Sequence, residues 1–171
     1  MPHRNKNGQY DNWAKTSLPW MSIGYETQIP PISTLTFYNT IANNGKMMRP
    51  RFVSKVMKNG ETIMEFPPEV MRQQIAKEKS IKELQTILEQ VVSLGLGKKA
   101  GSPNFKVAGK TGTAQISKGA GGYKSGGTSY LISFAGYFPA DAPRYSCIVC
   151  IQKSGLPASG GTMCGKVFHE I

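Results

Sequence analysis

Apolar residues recur at helical spacing at Ile32, Leu35, Tyr38 and Ile41 or Ala42, a stretch that Pro30-Pro31 opens and Asn43-Asn44-Gly45 stops. A second stripe, Ile81, Leu84, Leu88, Val91 and Val92, predicts a helix from about Ser80 to Ser93, with Ser80 and Glu83 at the spacing of a capping box. Between them, Arg51 to Lys58 and Glu61 to Phe66 flank Asn59-Gly60, whose tolerance of positive φ predicts a hairpin turn. Three later runs have strand-like composition: Lys106 to Ile116, Ser129 to Phe138 and Tyr145 to Gln152. Asp141, Ala142 and Pro143 form the turn between the last two, and Ser117 to Gly127, with five glycines, reads as a loop. Gly160-Gly161-Thr162 precedes a short helix from Met163 to Ile171 that stops without a cap, as if cut there. Met1 to Pro30 has little periodicity and reads as irregular. This order describes an α+β domain, helices packed on an antiparallel sheet whose last three strands are neighbours. The open edge of such a sheet can bind an extended peptide by strand addition.

A chain of 171 residues and 18.7 kDa has room for one ordinary domain. Leu, Ile, Val and Phe make up 21% of it, just above the roughly 20% below which disorder prevails, so the core is thin. With 19 glycines and 11 prolines, strands and turns are expected to take a large share of the fold. The net charge of +11 and pI near 9.7 call for an anionic partner, or for an acidic counterpart elsewhere in a longer chain. The basic residues are scattered from Arg4 to Lys166, in singles and pairs such as Lys98-Lys99, which is the pattern of solvated surface. No run approaches the roughly 18 apolar residues of a membrane span. Cys147, Cys150 and Cys164 are too few for a disulfide scaffold, and the first two point to opposite faces of a strand. His3 and His169 have no ligand-spaced partners, so no metal or cofactor is expected. Trp13, Trp20, Met64 and Met71 read as packing residues.

The candidate chemistry lies in Gly109-Lys110-Thr111-Gly112-Thr113. A phosphate-cradling loop needs Gly where Asn104 stands, and an aspartyl phosphate needs Asp where Gly109 stands, so both fail. The remaining possibility is K-T-G on a strand, a signature element of the serine acyltransferases that react with penicillin. On a strand Thr111 and Thr113 share a face, so two hydroxyls can hold a carboxylate while Lys110 adds positive charge. Gly112 lets a substrate come close, and the Thr113 N–H is a candidate oxyanion donor. Lys110 and Thr113 are therefore the candidate catalytic residues, and Thr111, Gly112 and Thr113 the candidate substrate-binding residues.

Val107-Ala108-Gly109-Lys110-Thr111-Gly112-Thr113-Ala114-Gln115 resembles the K-T-G strand of the class B penicillin-binding proteins, transpeptidases that cross-link peptidoglycan in division or elongation. The resemblance extends through Met21 to Tyr25, Pro31 to Leu35, Thr40 to Lys46, Ser133 to Ala140 and Val167 to Ile171. It implies part of a penicillin-binding-protein or β-lactamase-like transpeptidase fold, on the periplasmic or extracytoplasmic side of the membrane and anchored by an upstream helix. It implies attack on a D-alanyl-D-alanine stem peptide and transfer of the acyl group to a neighbouring amine. By the same resemblance Lys110 orients the substrate carboxylate and the proton network, Thr111 and Thr113 bind that carboxylate, and the Thr113 N–H completes the oxyanion hole. The implied partners are the stem peptide, β-lactam antibiotics as its mimics, the cell-wall synthesis machinery and the rest of the domain. Neither a cofactor nor nucleic acid is among them.

The family's nucleophile sits in S-x-x-K, and no serine of this chain is followed three positions later by lysine. The S-x-N match Ser102-Pro103-Asn104 lies only eight residues before Lys110, whereas in the family that element comes much earlier, so it reads as coincidence. Residues 1–171 are thus expected to be the C-terminal portion of a transpeptidase domain, without the serine-bearing half or the anchor and inactive alone. A sheet deprived of partner strands should expose apolar surface and be marginally stable or self-associating. Two other classes stand beside this one. A basic nucleic-acid-binding module accounts for the charge without catalysis, and a D,D-carboxypeptidase, β-lactamase or β-lactam sensor shares K-T-G. The matched flanks favour the transpeptidase.

Overall fold

The computed structural model describes every residue except 1, 2, 9, 12, 28 and 117–126. All but the last residue of the predicted glycine-rich loop therefore lies outside the described residues. The chain divides into two units, Met1–Pro30 and Pro31–Ile171. The first is more regular than expected: β1 (His3–Arg4) pairs antiparallel with β2 (Tyr10–Asp11), and α1 spans Ser17–Ser22. Elements this short carry no readable periodicity. Ser17 is buried, and its hydroxyl accepts from the Ala14 N–H at 2.9 Å. Trp13 and Trp20, expected to pack, are 44% and 41% exposed.

In the second unit α2 (Pro31–Ala42) occupies the predicted helix. Gly45 closes it at φ 93°, its N–H reaching the Thr40 carbonyl at 2.8 Å. β3 (Met47–Met48) pairs with β6 (Val70–Arg72), while β4 (Lys55–Lys58) and β5 (Glu61–Glu65) form the predicted hairpin. Its turn residues Asn59 and Gly60 have φ of 52° and 86°, the backbone twist that short hairpins require. α3 (Glu78–Ser93) starts before the predicted point, and the capping box is not formed. Lys77 flanks the helix with extended backbone and no side-chain cap, which leaves Ser80 inside the first turn. Upstream of the helix, the Ile75 N–H donates to the Gly45 carbonyl at 3.0 Å.

The candidate residues belong to an antiparallel sheet of β7 (Ala108–Ile116), β8 (Ser129–Phe138) and β9 (Tyr145–Ser154), with β8 central. Thr111 pairs with Phe134, which pairs with Val149, and paired residues share a face. That face is covered by a π-helical turn, Gly160–Cys164, and by α4 (Gly165–Glu170). Ile132, Phe134, Cys164 and Phe168 are all buried there with Val92 and Val107, and the Phe134 and Phe168 rings meet edge-on at 4.8 Å. On the opposite face Ala108 and Tyr137 pack with Ile41 and Ala42 of α2 and Leu88 of α3. Leu88 and Val92, one turn apart, let α3 serve both clusters. Cys147 packs against the first cluster and Cys150 is exposed, as opposite faces demand; both are free thiols.

The apolar residues around the hairpin are not core. Phe52 is 86% exposed, and Met64 and Met71, expected to pack, are 55% and 42% exposed.

Tyr137 is fully buried, and its hydroxyl has no hydrogen-bond partner among the described residues. Loss of hydration, then the charge of Glu89, pushes its pKa up from the ordinary 10 to about 12. The folded state therefore keeps this proton where the unfolded chain has lost it. The resulting stability is complete below about pH 10 and disappears as pH rises through about 12. Tyr137→Phe deletes an unpaired hydroxyl at nearly constant shape. It is expected to hold or raise the midpoint of urea unfolding near neutral pH, and to flatten the loss of stability between about pH 10 and 12.

Candidate functional site

β7 presents Lys110 and Thr113 to solvent and half-buries Thr111 and Gly112. Alternation along the strand puts Thr111 and Thr113 together on the face of the π-helical turn, as expected, and Lys110 on the other face. Lys110 comes round nevertheless, its Nζ donating to the Thr111 carbonyl at 2.7 Å. In a strand the C=O of one residue and the N–H of the residue two further on point to the same edge. The Lys110 ammonium, the Thr111 carbonyl and the Thr113 N–H thus share one edge of β7. Among the described residues β8 is the only strand paired with β7.

Two glycines that sequence reasoning treated only as the lead into a helix lie directly behind this strand. The Gly160 N–H donates to Thr113 Oγ1 at 3.3 Å, which leaves the hydroxyl's own proton available to donate. A Cβ on Gly160 would collide with the carbonyl oxygens of Ser133 and Gly112. One on Gly161 would collide with the Leu96 carbonyl oxygen and lie 3.2 Å from Thr111 Cγ2. Adjacent glycines ahead of a helix were the available signal, but β8 and β9 separate them in sequence from the strand they approach. Gly112 also has a local reason to lack a side chain, because a Cβ there would strike Oγ of its cross-strand partner Ser133.

Ser102 and Asn104, the S-x-N match, line a concavity of about 450 Å³ at the approach to β7, with Glu89, Val92 and Phe105. The Asn104 N–H donates to Ser102 Oγ at 3.2 Å, a local turn, and neither side chain bonds to Lys110, Thr111 or Thr113. Lys106 closes this approach on Glu89 at 2.7 Å, and that hydrogen bond, then the charge of Glu89, raises the Lys106 pKa.

A family model described as the penicillin binding protein transpeptidase domain matches residues 2–171. The chain belongs to this family. It is 31% identical over 94% of its length to penicillin-binding protein PbpB of Mycolicibacterium smegmatis, and 28% identical over 88% to stage V sporulation protein D of Bacillus subtilis. It spans 26% and 23% of those two proteins, about a quarter of the length of the curated relatives it matches. Among solved structures, the transpeptidase domain of FtsI4 D,D-transpeptidase from Legionella pneumophila superposes with a TM-score of 0.62 at 26% identity, covering 98% of this chain and 54% of that one. The D,D-transpeptidase domain from Eggerthella lenta gives 0.63 at 28% identity, over 85% of this chain and 33% of that one. The α+β fold and the class B penicillin-binding protein resemblance are borne out.

Gly160→Ala is expected to destabilise the chain by about 1–3 kcal/mol, because the intruding methyl meets backbone rather than a movable side chain. Thr113→Ser, which keeps the hydroxyl that accepts from the Gly160 N–H, should leave the thermal midpoint nearly unchanged. An unaltered melting curve for Gly160→Ala would contradict the close approach.

Proposed function

We propose that this chain supplies the substrate-binding wall and oxyanion strand of a serine-type peptidoglycan D,D-transpeptidase. One observation carries this reading within the family: an ammonium, two hydroxyls and a backbone N–H lie along a single edge and face of β7. An extended D-alanyl-D-alanine terminus laid along that edge puts its carboxylate within reach of the Thr111 and Thr113 hydroxyls, with Lys110 supplying charge. Thr113 N–H then receives the oxyanion that forms at the attacked carbonyl. The nucleophile is an S-x-x-K serine from a segment of the same protein outside these residues. It displaces the terminal D-alanine, and an amine of a neighbouring stem peptide takes the acyl group from it. A β-lactam, carrying a carboxylate beside a strained amide, occupies the same place.

The parent protein acts on the periplasmic or extracytoplasmic face of the membrane, with the cell-wall synthesis machinery. Among the described residues no helix is long and apolar enough to cross a membrane. Family membership favours this reading over a basic nucleic-acid-binding module, for which DNA binding that falls steeply with salt would speak.

Fluorescent penicillin is expected to leave the 171-residue chain unlabelled and to label the protein extended to include its S-x-x-K segment. In the extended protein Thr113→Val should slow acylation about 10- to 100-fold, the size of one hydrogen bond to a charged group, while Thr113→Ser, which keeps the hydroxyl, should restore most of the rate. Lys110→Ala should slow it at least as much. Labelling of the chain alone, or normal acylation by Lys110→Ala, would overturn the assignment.

A further inference from the structure

A concavity of about 440 Å³ lies between the tight turn Lys98–Ala100 and α4, lined by Lys98, Lys99, Gly101, Lys166, His169 and Glu170. Three ammonium groups and an imidazole converge there with a single carboxylate. None of these lysines has a carboxylate within ion-pair distance among the described residues, whereas Arg49, Lys79 and Lys106 are paired with Glu69, Glu83 and Glu89. The cluster is built rather than accidental. Gly165 sets α4 directly on the turn, since a Cβ there would lie 3.3 Å from the Ala100 nitrogen and 3.5 Å from Lys99 Cβ. Near its other end His169 Nδ1 lies 2.7 Å from the Gly101 carbonyl oxygen. A carbonyl only accepts, so Nδ1 carries the proton, and this bond holds the ring in the pocket wall. Phe168 is buried in the core, so α4 cannot roll to disperse the charges.

We propose that this pocket binds a phosphate monoester, a phosphate group carried on a small organic moiety. The three ammonium groups less the Glu170 carboxylate leave a surplus of two charges, which a phosphate monoester dianion of about −1.5 to −2 offsets and a single carboxylate does not. Lysines suit phosphate as mobile point charges with three donors each. The volume exceeds a bare ion and falls within the roughly 300–1,000 Å³ of small-molecule sites. Glu170 offers an acceptor for a hydroxyl of the attached moiety. No residue of this pocket belongs to the β7 edge, so the proposal stands or falls apart from the transpeptidase reading.

Two ligand sources share this chemistry, a soluble ester and a lipid headgroup. The test is an NMR titration of the chain with glycerol 3-phosphate, with sodium chloride at matched ionic strength as control, beside flotation with phosphatidic acid and phosphatidylcholine vesicles. Glycerol 3-phosphate should shift the His169 ring and the Lys99, Gly101 and Lys166 amides saturably. Lys98→Gln combined with Lys166→Gln should weaken that binding about tenfold, while Lys55→Gln with Lys58→Gln on the hairpin should not. Flotation with phosphatidic acid alone, lost in the Lys98/Lys166 variant, supports the site with a lipid source; saturation without flotation supports it with a soluble one. Equal shifts with chloride, or equal weakening by the hairpin variant, would overturn it.

Discussion

Phe134 holds the register on which the candidate site depends. It is fully buried on β8, stacked edge-on against Phe168, and directly opposite Thr111. Because side chains alternate with a period of two, a slip of one residue between β7 and β8 would carry Thr111 and Thr113 to the other face. In sequence, β7 ends at Ile116 and β8 begins at Ser129, a separation longer than the two- to five-residue loops that set a hairpin's register. The cost of removing a large aromatic ring from its core cluster does it instead, so a packing preference sets the position of the hydroxyls.

The same face explains why glycine recurs where the chain passes close to β7. Gly160 and Gly161 bring backbone against backbone behind Thr111 and Thr113, and Gly112 makes room for Ser133 across the ladder. Close approach lets the Gly160 N–H orient the Thr113 hydroxyl without a second side chain. α4 continues from that turn, so the element behind the candidate site also carries Phe168 into the core and Lys166 and His169 to the outer pocket. Register, hydroxyl orientation and the basic pocket thus depend on one short segment, 160–170.

Much of the fold was legible because its elements carry strong local patterns. β8 follows its predicted bounds, since an uninterrupted run from Ser129 to Phe138 is flanked on both strands by pairing partners. β9 runs on to Ser154 because Lys153 and Ser154 continue the ladder with Tyr130 and Ser129, a tertiary fact that polar residues do not advertise. Ser80 and Glu83 had the right spacing for a cap, but the helix begins at Glu78, which puts both of them inside it. Met64 and Met71 show the limit of reading apolarity as burial: hydrophobic character says that a residue gains from being covered, not that the described chain covers it.

The order of residues by itself determined the elements, the K-T-G strand and the sharing of one face by Thr111 and Thr113, because each follows from periodicity or from neighbours in the chain. Tertiary structure alone decided that Gly160 reaches Thr113 and that Lys166 joins Lys98 and Lys99 around one cavity. Such contacts join residues far apart in sequence, and distance in space is set by packing of the core, which no local pattern records.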